Sequence, residues 1–560
     1  MPKRLIRGYG STKSKIMVVI DSPTMEDYNR NSPLAGSQGT ILFAMLKDAG
    51  IGKFDCYFTY AHKCPLIARD WERAYTKKST MTPTADYAAS LELLEQEIEM
   101  VKPDLIITMG ELPLQALSGE SRLGRWRGST ILSKYGIKMI CTYDPVVIMK
   151  KMEWRYVTVR DLKRVNVELQ SRQLRDPRYV FETKPTFEKA LERIEWLISQ
   201  CDNSYAEGKR YHVASDIETI ARNISCIGFA WSKREAICIP LMDGGRIAGY
   251  YTEDEETRLV LAMRRLLSHK GVFITGQNFV YDEQYIKRFW GVDANVGGDT
   301  MVAFHTLFPG EKKSLDMLSS LFCDIHVYWK DELKDYNTYP ENPEQYWTYN
   351  CKDCVITYEV WEALQPLISS AGLQKQLDHQ MAVRVQALQM MYRGANFDPV
   401  RRAEIQLELM EQQAQVAFRL EKVQAVYLAW KLEGVTKPAD IKRINKHGKF
   451  YESPHQCTQF LYDYLQLPKQ YNKKTKRVTS DDNAITALIK KEPLIAPVLK
   501  LLQGYRSLGV FKSTFADVAI DTDLRWRSAL NVSGTETFRF SSSGDAFGFG
   551  TNMQNIPKGN

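Results

Sequence analysis

The 560-residue chain carries 75 Lys and Arg against 67 Asp and Glu, a formal charge of +8, and 44% apolar residues. That apolar share supports several cores, so disorder is not the default, and the length suggests three or four domains. The ten Cys include one C-x-x-C, Cys351 and Cys354, with no second pair and no His beside it, which argues against zinc and for reduced thiols. No apolar run has the length of a membrane span, and MPKRLIRGYG leads into an apolar stretch too short for a signal-peptide core. A mild basic excess with 29 Tyr and 11 Trp permits nucleic-acid binding without requiring it.

Residues 1 to about 170 alternate apolar runs with helical patterns. KIMVVID, FDCYFTY, DLIITMG and IKMICTYD predict buried strands; GTILFAMLKDAG and ADYAASLELLEQEIEMV predict amphipathic helices. Such alternation implies a mostly parallel sheet covered on both faces. LQSRQLRDPRYVFETKP reads as a polar linker. A second α/β pattern follows, with YHVASDIET, ISCIGFAWS and EAICIPL at hairpin spacing, then helix ETRLVLAMRRLLSH, strand GVFIT and helix VYDEQYIKRFW. From about 376 the periodicity turns helical. Residues 437–477 hold ten Lys or Arg against three acids, with Tyr and Phe interleaved, and two more helical patterns lead to about 517.

The second α/β region concentrates acids in apolar places. Asp216 and Glu218, two apart in a predicted strand, point to one face. Two such carboxylates repel each other unless a cation neutralises them. Asp282 falls in the first turn of a helix after a strand and a Gly turn. Tyr349 and Asp353 share a helix face, and Asp353 has Cys351, Cys354 and Val355 for neighbours. Each acid alone is an ordinary cap or surface group; together on one frame they suggest a site.

These segments resemble the three exonuclease motifs of the DEDD superfamily, in the tyrosine subtype that accompanies family A DNA polymerases. Asp216 and Glu218 match its D-x-E, Asn278 and Asp282 its N-x-x-x-D, Tyr349 and Asp353 its Y-x-x-x-D, with an Asp299-Thr300 pair between. The resemblance implies two divalent cations, Mg²⁺ or Mn²⁺, roughly 4 Å apart on the four carboxylates. Asp216, Glu218 and Asp353 would bind the ion that makes the nucleophile. Asp216 would bridge to the second ion, Asp282 would support that ion through water, and Tyr349 would orient the attacking water. The implied reaction releases nucleoside monophosphates from a DNA 3′ end.

The stretch 533–557 resembles the family A segment T-x-T-G-R-L-S-S followed by N-L-Q-N-I-P. Thr535, Thr537, Arg539, Ser541 and Ser542 match its first part, and Asn552, Gln554, Asn555, Ile556 and Pro557 its second. Phe538 and Phe540 depart from it, replacing Gly and Leu, and the connector is long. YRSLGVFKSTFAD resembles the thumb-to-palm helix through Tyr505, Arg506, Lys512, Ser513 and Thr514. The resemblance implies that Asn278, Arg506, Lys512, Thr535, Arg539, Gln554 and Asn555 contact DNA, and that 437–477 grips the duplex backbone. The family's first polymerase carboxylate would follow the N-I-P segment. The expectation is therefore a split or truncated polymerase, with a second polypeptide supplying the rest of palm and fingers.

The opening domain resembles the uracil-DNA glycosylase superfamily through Pro23, Glu26, Asp27, Pro33, Gly36 and Gly39, then Thr59, Lys63, Cys64 and Pro65. Its chemical positions differ: Asp21 stands for the family's Glu, Tyr60 for its uracil-reading Asn, and Asp144 for its His. The branch's iron–sulfur cysteine pattern is missing, so neither that cluster nor base excision is expected.

The implied architecture is a multidomain α/β chain. Residues 1–172 form a glycosylase-like α/β/α domain, 178–375 an RNase H-like exonuclease domain with a mixed sheet, and 376–560 a largely helical thumb with a partial palm. The implied function is a proofreading 3′–5′ exodeoxyribonuclease in DNA replication; the alternative is a non-catalytic DNA-binding scaffold subunit of a split polymerase. Single-stranded 3′ ends and primer–template duplex are the expected partners, with no membrane. The expected setting is the cytoplasm, the host's if the chain is phage-encoded.

Overall fold

The computed structural model describes residues 4–66, 70–77, 80–243, 249–332, 342–446, 448–473 and 475–556. Pro557 lies outside the described residues. The chain divides into two compact units, Met1–Arg384 with Val532–Arg539, and Val385–Asn531 with Phe540–Asn560.

The first unit contains two sheets. The earlier one orders its strands Cys56–Tyr60, Ile16–Ile20, Leu105–Met109, Lys138–Thr142, Thr130–Leu132. All pairings are parallel except the last. Every residue of the four parallel strands is buried, which explains their unbroken apolar runs. Helices cover both faces and make two cores, one around Val18, Leu42, Phe58 and Ile107, the other around Val19, Leu94, Ile106 and Met139. Thr84 caps the helix Ala85–Val101 by accepting from the Tyr87 amide.

The later sheet runs Val296–Asp299, Val272–Gly276, Tyr211–Ile220, Asn223–Ala230, Glu235–Pro240, Val180–Glu182. It is mixed. The three strands at hairpin spacing pair antiparallel, and the flanking pairings are parallel. Two features correct the sequence reading. The segment read as a polar linker supplies Val180–Glu182, whose three residues are too few for an alternation to register. It is followed by an unanticipated helix, Phe187–Ala206, which buries Ala190, Ile194, Leu197 and Cys201 at helical spacing. The long helix Pro343–Ser370 lies across the strands Tyr211–Ile220, Asn223–Ala230 and Glu235–Pro240.

The two sheets of this unit are joined by a row of arginines. Arg160 Nε donates to the Leu321 carbonyl at 2.8 Å. Arg164 donates to the carbonyls of Ser320, Cys323 and Asp324 at 2.9, 2.8 and 2.9 Å. Arg127, paired with buried Asp161 at 2.6 Å, also donates to Ser320 Oγ. Beyond them the Thr130 amide donates to the His326 carbonyl at 3.2 Å, and the Tyr328 amide to Ser129 Oγ at 3.1 Å. Segment 320–328 is thus held by the earlier sheet's end of the unit.

The second unit is largely helical. Helices Pro399–Leu432 and Ala496–Phe511 pack together over a core that includes Leu420, Tyr427, Phe450, Phe460, Ile485 and Leu499. A hairpin pairs Ser528–Asn531 with Ser541–Gly544. Among the described residues no helix is long and apolar enough to cross a membrane.

Candidate active site

Asp216 and Glu218 project from the central strand of the later sheet, opposite Gly228 and Cys226 on its antiparallel neighbour. Helix Pro343–Ser370 crosses above and lowers Asp353 toward them. One ligand oxygen from each of Asp216, Glu218 and Asp353 lies within 4.8 Å of the others. The close crossing depends on Gly228, where an added Cβ would sit 2.6 Å from Cys354 Sγ and also meet Asn350 Oδ1. Asn350, one helical turn before Asp353, donates through Nδ2 to the Asp216 carbonyl at 3.1 Å and to Asp216 Oδ2 at 3.2 Å.

Both oxygens of Asp353 carry donors from consecutive residues: Trp329 Nε1 reaches Oδ1 at 2.7 Å and Lys330 Nζ reaches Oδ2 at 2.5 Å. Lys330 Nζ also donates to the Tyr349 hydroxyl at 2.7 Å. Asp282 stands beside the three-carboxylate group. It is buried in the first turn of helix Val280–Trp290, and its Oδ1 accepts from the Ile217 amide at 2.9 Å.

Removal from water is the main electrostatic strain here, and mutual repulsion adds to it. Burial, then Asp353, push the Asp216 carboxyl up to about 8. Burial, then Asp216, raise Glu218 and Asp282 well above the usual carboxylate range. An all-oxygen set this close, with four acids against the ammonium of Lys330 on Asp353, fits hard divalent cations such as Mg²⁺ or Mn²⁺.

Behind the site, Asp299 accepts from the amides of Asn278 and Phe279 at 3.1 and 2.8 Å and caps helix Thr300–Leu307 through Met301. The fully buried Arg384 pairs with Glu283 and approaches Asp299 Oδ2 at 3.6 Å. Asn278, with φ +57°, is exposed at the turn between strand and helix.

The other sequence-named positions are spread over the two units. Arg506 donates to the Ser480 carbonyl at 2.6 Å, and Lys512 pairs with Asp517 at 2.7 Å. Thr535 Oγ1 accepts from the Arg539 amide at 3.0 Å, leaving the Arg539 side chain exposed. Gln554 Nε2 donates to the Phe540 carbonyl at 3.1 Å, and Asn555 is exposed.

In the first domain, Asp21 Oδ1 accepts from the Leu112 amide at 2.9 Å. Tyr60 is fully buried; its hydroxyl donates to Asp27 Oδ2 at 3.3 Å and accepts from the Leu34 amide at 3.1 Å. Asp144 caps helix Pro145–Lys150 through the Val146 amide at 2.7 Å.

Sequence reasoning missed Trp329, Lys330 and Asn350. Asn350 had a signal, since it lies three residues before Asp353 on the same helix. Trp329 and Lys330 had none, because only tertiary structure brings segment 327–332 to Asp353.

Two known families match successive parts of the chain. The Uracil DNA glycosylase superfamily model matches residues 7–163, and the 3′-5′ exonuclease model matches residues 190–369. Two domains are thereby matched: a 3′-5′ exonuclease domain preceded by a domain of the uracil-DNA glycosylase superfamily. More particularly, the chain is 23% identical over 400 residues to a DNA polymerase of Bacillus phage SP01, an alignment covering 65% of this chain and 41% of that protein. The chain thus spans well under half of that relative's length.

A Type-4 uracil-DNA glycosylase of Thermotoga maritima is 25% identical over 165 residues, 29% of this chain and 80% of that protein. One from Archaeoglobus fulgidus is 24% identical over 169 residues, 29% and 79%. A solved structure, the POL domain of Pol1 from M. smegmatis in complex with DNA primer-template and dNTP, aligns with TM-score 0.44 at 18% identity, covering 65% of this chain and 55% of that one.

Proposed function

We propose that the chain removes nucleoside 5′-monophosphates from a DNA 3′ end, using two divalent cations held by Asp216, Glu218, Asp282 and Asp353. The observation that carries this reading is the gathering of Asp216, Glu218 and Asp353 within 4.8 Å on a domain of the matched exonuclease type. A water oxygen bonds to the terminal phosphorus, the bond from phosphorus to the preceding 3′ oxygen breaks, and that oxygen takes a proton to leave a new 3′-OH. Bound divalent cations would acidify the water and neutralise charge on the phosphate and the leaving oxygen. The Tyr349 hydroxyl orients the water, since a neutral phenol is a poor base near pH 7.

A 3′-labelled single strand tests the proposal. Wild type should digest it only with Mg²⁺ or Mn²⁺, and Asp216→Ala with Asp282→Ala should abolish digestion while DNA binding persists. A wild type that binds DNA but never digests it would leave a scaffold subunit instead.

In the same reading, exposed Arg539 and Asn555 contact DNA. Loss of DNA affinity in Arg539→Ala or Asn555→Ala variants checks that extension. The first domain is a retained fold without base excision. Two things support this: Tyr60 fills its own position and is bonded within the core, and an Asp at 144 would repel the departing uracil anion.

A further inference from the structure

We propose that Lys330 is a positioning residue of the exonuclease reaction, and that the glycosylase-like domain braces the segment that delivers it. The inference rests on the exonuclease reading above. Lys330 Nζ donates at once to the Tyr349 hydroxyl and to Asp353 Oδ2, at 2.7 and 2.5 Å. An ammonium has only donors, so it occupies a lone pair of the phenol oxygen. The phenol's own hydrogen must then point away from the ammonium, which narrows how the hydroxyl can meet an attacking water. Trp329 holds the other Asp353 oxygen, so two neighbouring residues set both the tilt of that carboxylate and the direction of the tyrosine O–H.

Neither residue belongs to a helix or strand that would place it. The segment around them is fixed instead by the first domain: the His326 carbonyl accepts from the Thr130 amide, the Tyr328 amide donates to Ser129, and Asp331 pairs with Arg125. Ring contact between Trp126 and Tyr328, with centroids 5.6 Å apart, completes the brace. A domain without base-excision chemistry of its own thereby becomes a working part of its neighbour's site.

The test uses the full chain, single-turnover digestion of a 3′-labelled strand, and calorimetric Mn²⁺ binding without DNA. Lys330→Met should lower kcat about 10²-fold with KM little changed, as misoriented catalytic groups do. Lys330→Arg should recover part of the loss. Combining Lys330→Met with Tyr349→Phe should cost little beyond the worse single change, because the lysine acts through the tyrosine. Mn²⁺ should bind Lys330→Met at least as tightly as wild type, since a competing cation has left Asp353.

Ser129→Ala with Arg125→Met, both in the first domain, should lower kcat in the same direction, about 3- to 10-fold. An unchanged kcat in Lys330→Met, fully multiplicative losses, or weakened Mn²⁺ binding would overturn the positioning role. Unchanged digestion by the Ser129/Arg125 variant would overturn the brace. An inactive wild type would instead sink the exonuclease reading, and this inference with it.

Discussion

The amide of Ile217, between the two acids of the central strand, donates to Asp282 Oδ1 at 2.9 Å. Asp282 therefore anchors the backbone that aims Asp216 and Glu218, as well as adding negative charge beside them. Asn at 282 keeps an acceptor for that amide and loses the charge; Ala loses both. Both variants should lose digestion by about 10²-fold or more. In urea unfolding, Asp282→Asn should be more stable than Asp282→Ala by about 1–2 kcal/mol, the cost of a buried amide left unpaired. An active Asn variant would reduce Asp282 to a strut.

Asp216 makes stability depend on pH and metal. Its native carboxyl titrates near 8, above its ordinary 3.8, so between those values the folded chain holds a proton that the unfolded chain has released. Stability from this group is therefore lost as pH rises through that window. With EDTA present, Asp216→Asn should raise Tm at pH 8.5 by roughly 2–4 °C, about 1 kcal/mol for a domain of this size. The gain should shrink toward pH 5. Mg²⁺ at pH 8.5 should raise the wild-type Tm more than that of the variant, and thermal melts across pH check both statements.

Arg384 is the fully buried cation between Glu283 and Asp299. Met in its place leaves two buried acids uncompensated and should cost about 3–5 kcal/mol in urea unfolding. Burial already pushes Glu283 up to about 7 despite the arginine, so the loss should be largest above pH 7. Adding Glu283→Gln to Arg384→Met should return part of the stability.

Gly228 sets the gap between central sheet and crossing helix. A methyl group there meets Cys354 and Asn350, and Asn350 in turn holds Asp216. Gly228→Ala should push the helix away and lower digestion about 10²-fold, the penalty of an ångström-scale misplacement. Its unfolding free energy should drop by about 1–3 kcal/mol, as for other overpacked cores. Wild-type digestion rates in this variant would show that the helix has slack.

For the first domain, incubation of the full chain with a uracil-containing duplex, followed by alkaline cleavage, should reveal no abasic sites. The reason is local: Tyr60 is bonded to Asp27 and Leu34, and Asp144 is committed to a helix cap. Strand breaks at uracil would restore base excision to the domain.

Much of this was legible in the sequence because local spacing carried it. The buried parallel strands announce themselves as apolar runs such as KIMVVID and DLIITMG. Asp216 and Glu218 share a face because strands repeat every two residues, and Tyr349 and Asp353 because helices nearly repeat every four. What escaped notice depends on contacts distant in the chain. Lys330 acquires a role only when the first domain presses its segment onto Asp353. The strand Val180–Glu182 is legible only beside Glu235–Pro240, and the fate of Tyr60 only beside Asp27 and Leu34. The helix Phe187–Ala206 is the opposite case, since its periodicity was present and passed over just after the stretch assigned to a linker.

The row of arginines from the first domain into segment 320–324, with the amide bonds to His326 and Ser129, has a hereditary consequence. On the proposed reading, the gene segment encoding the first domain could not be shed without unseating 320–328, whatever became of its pocket.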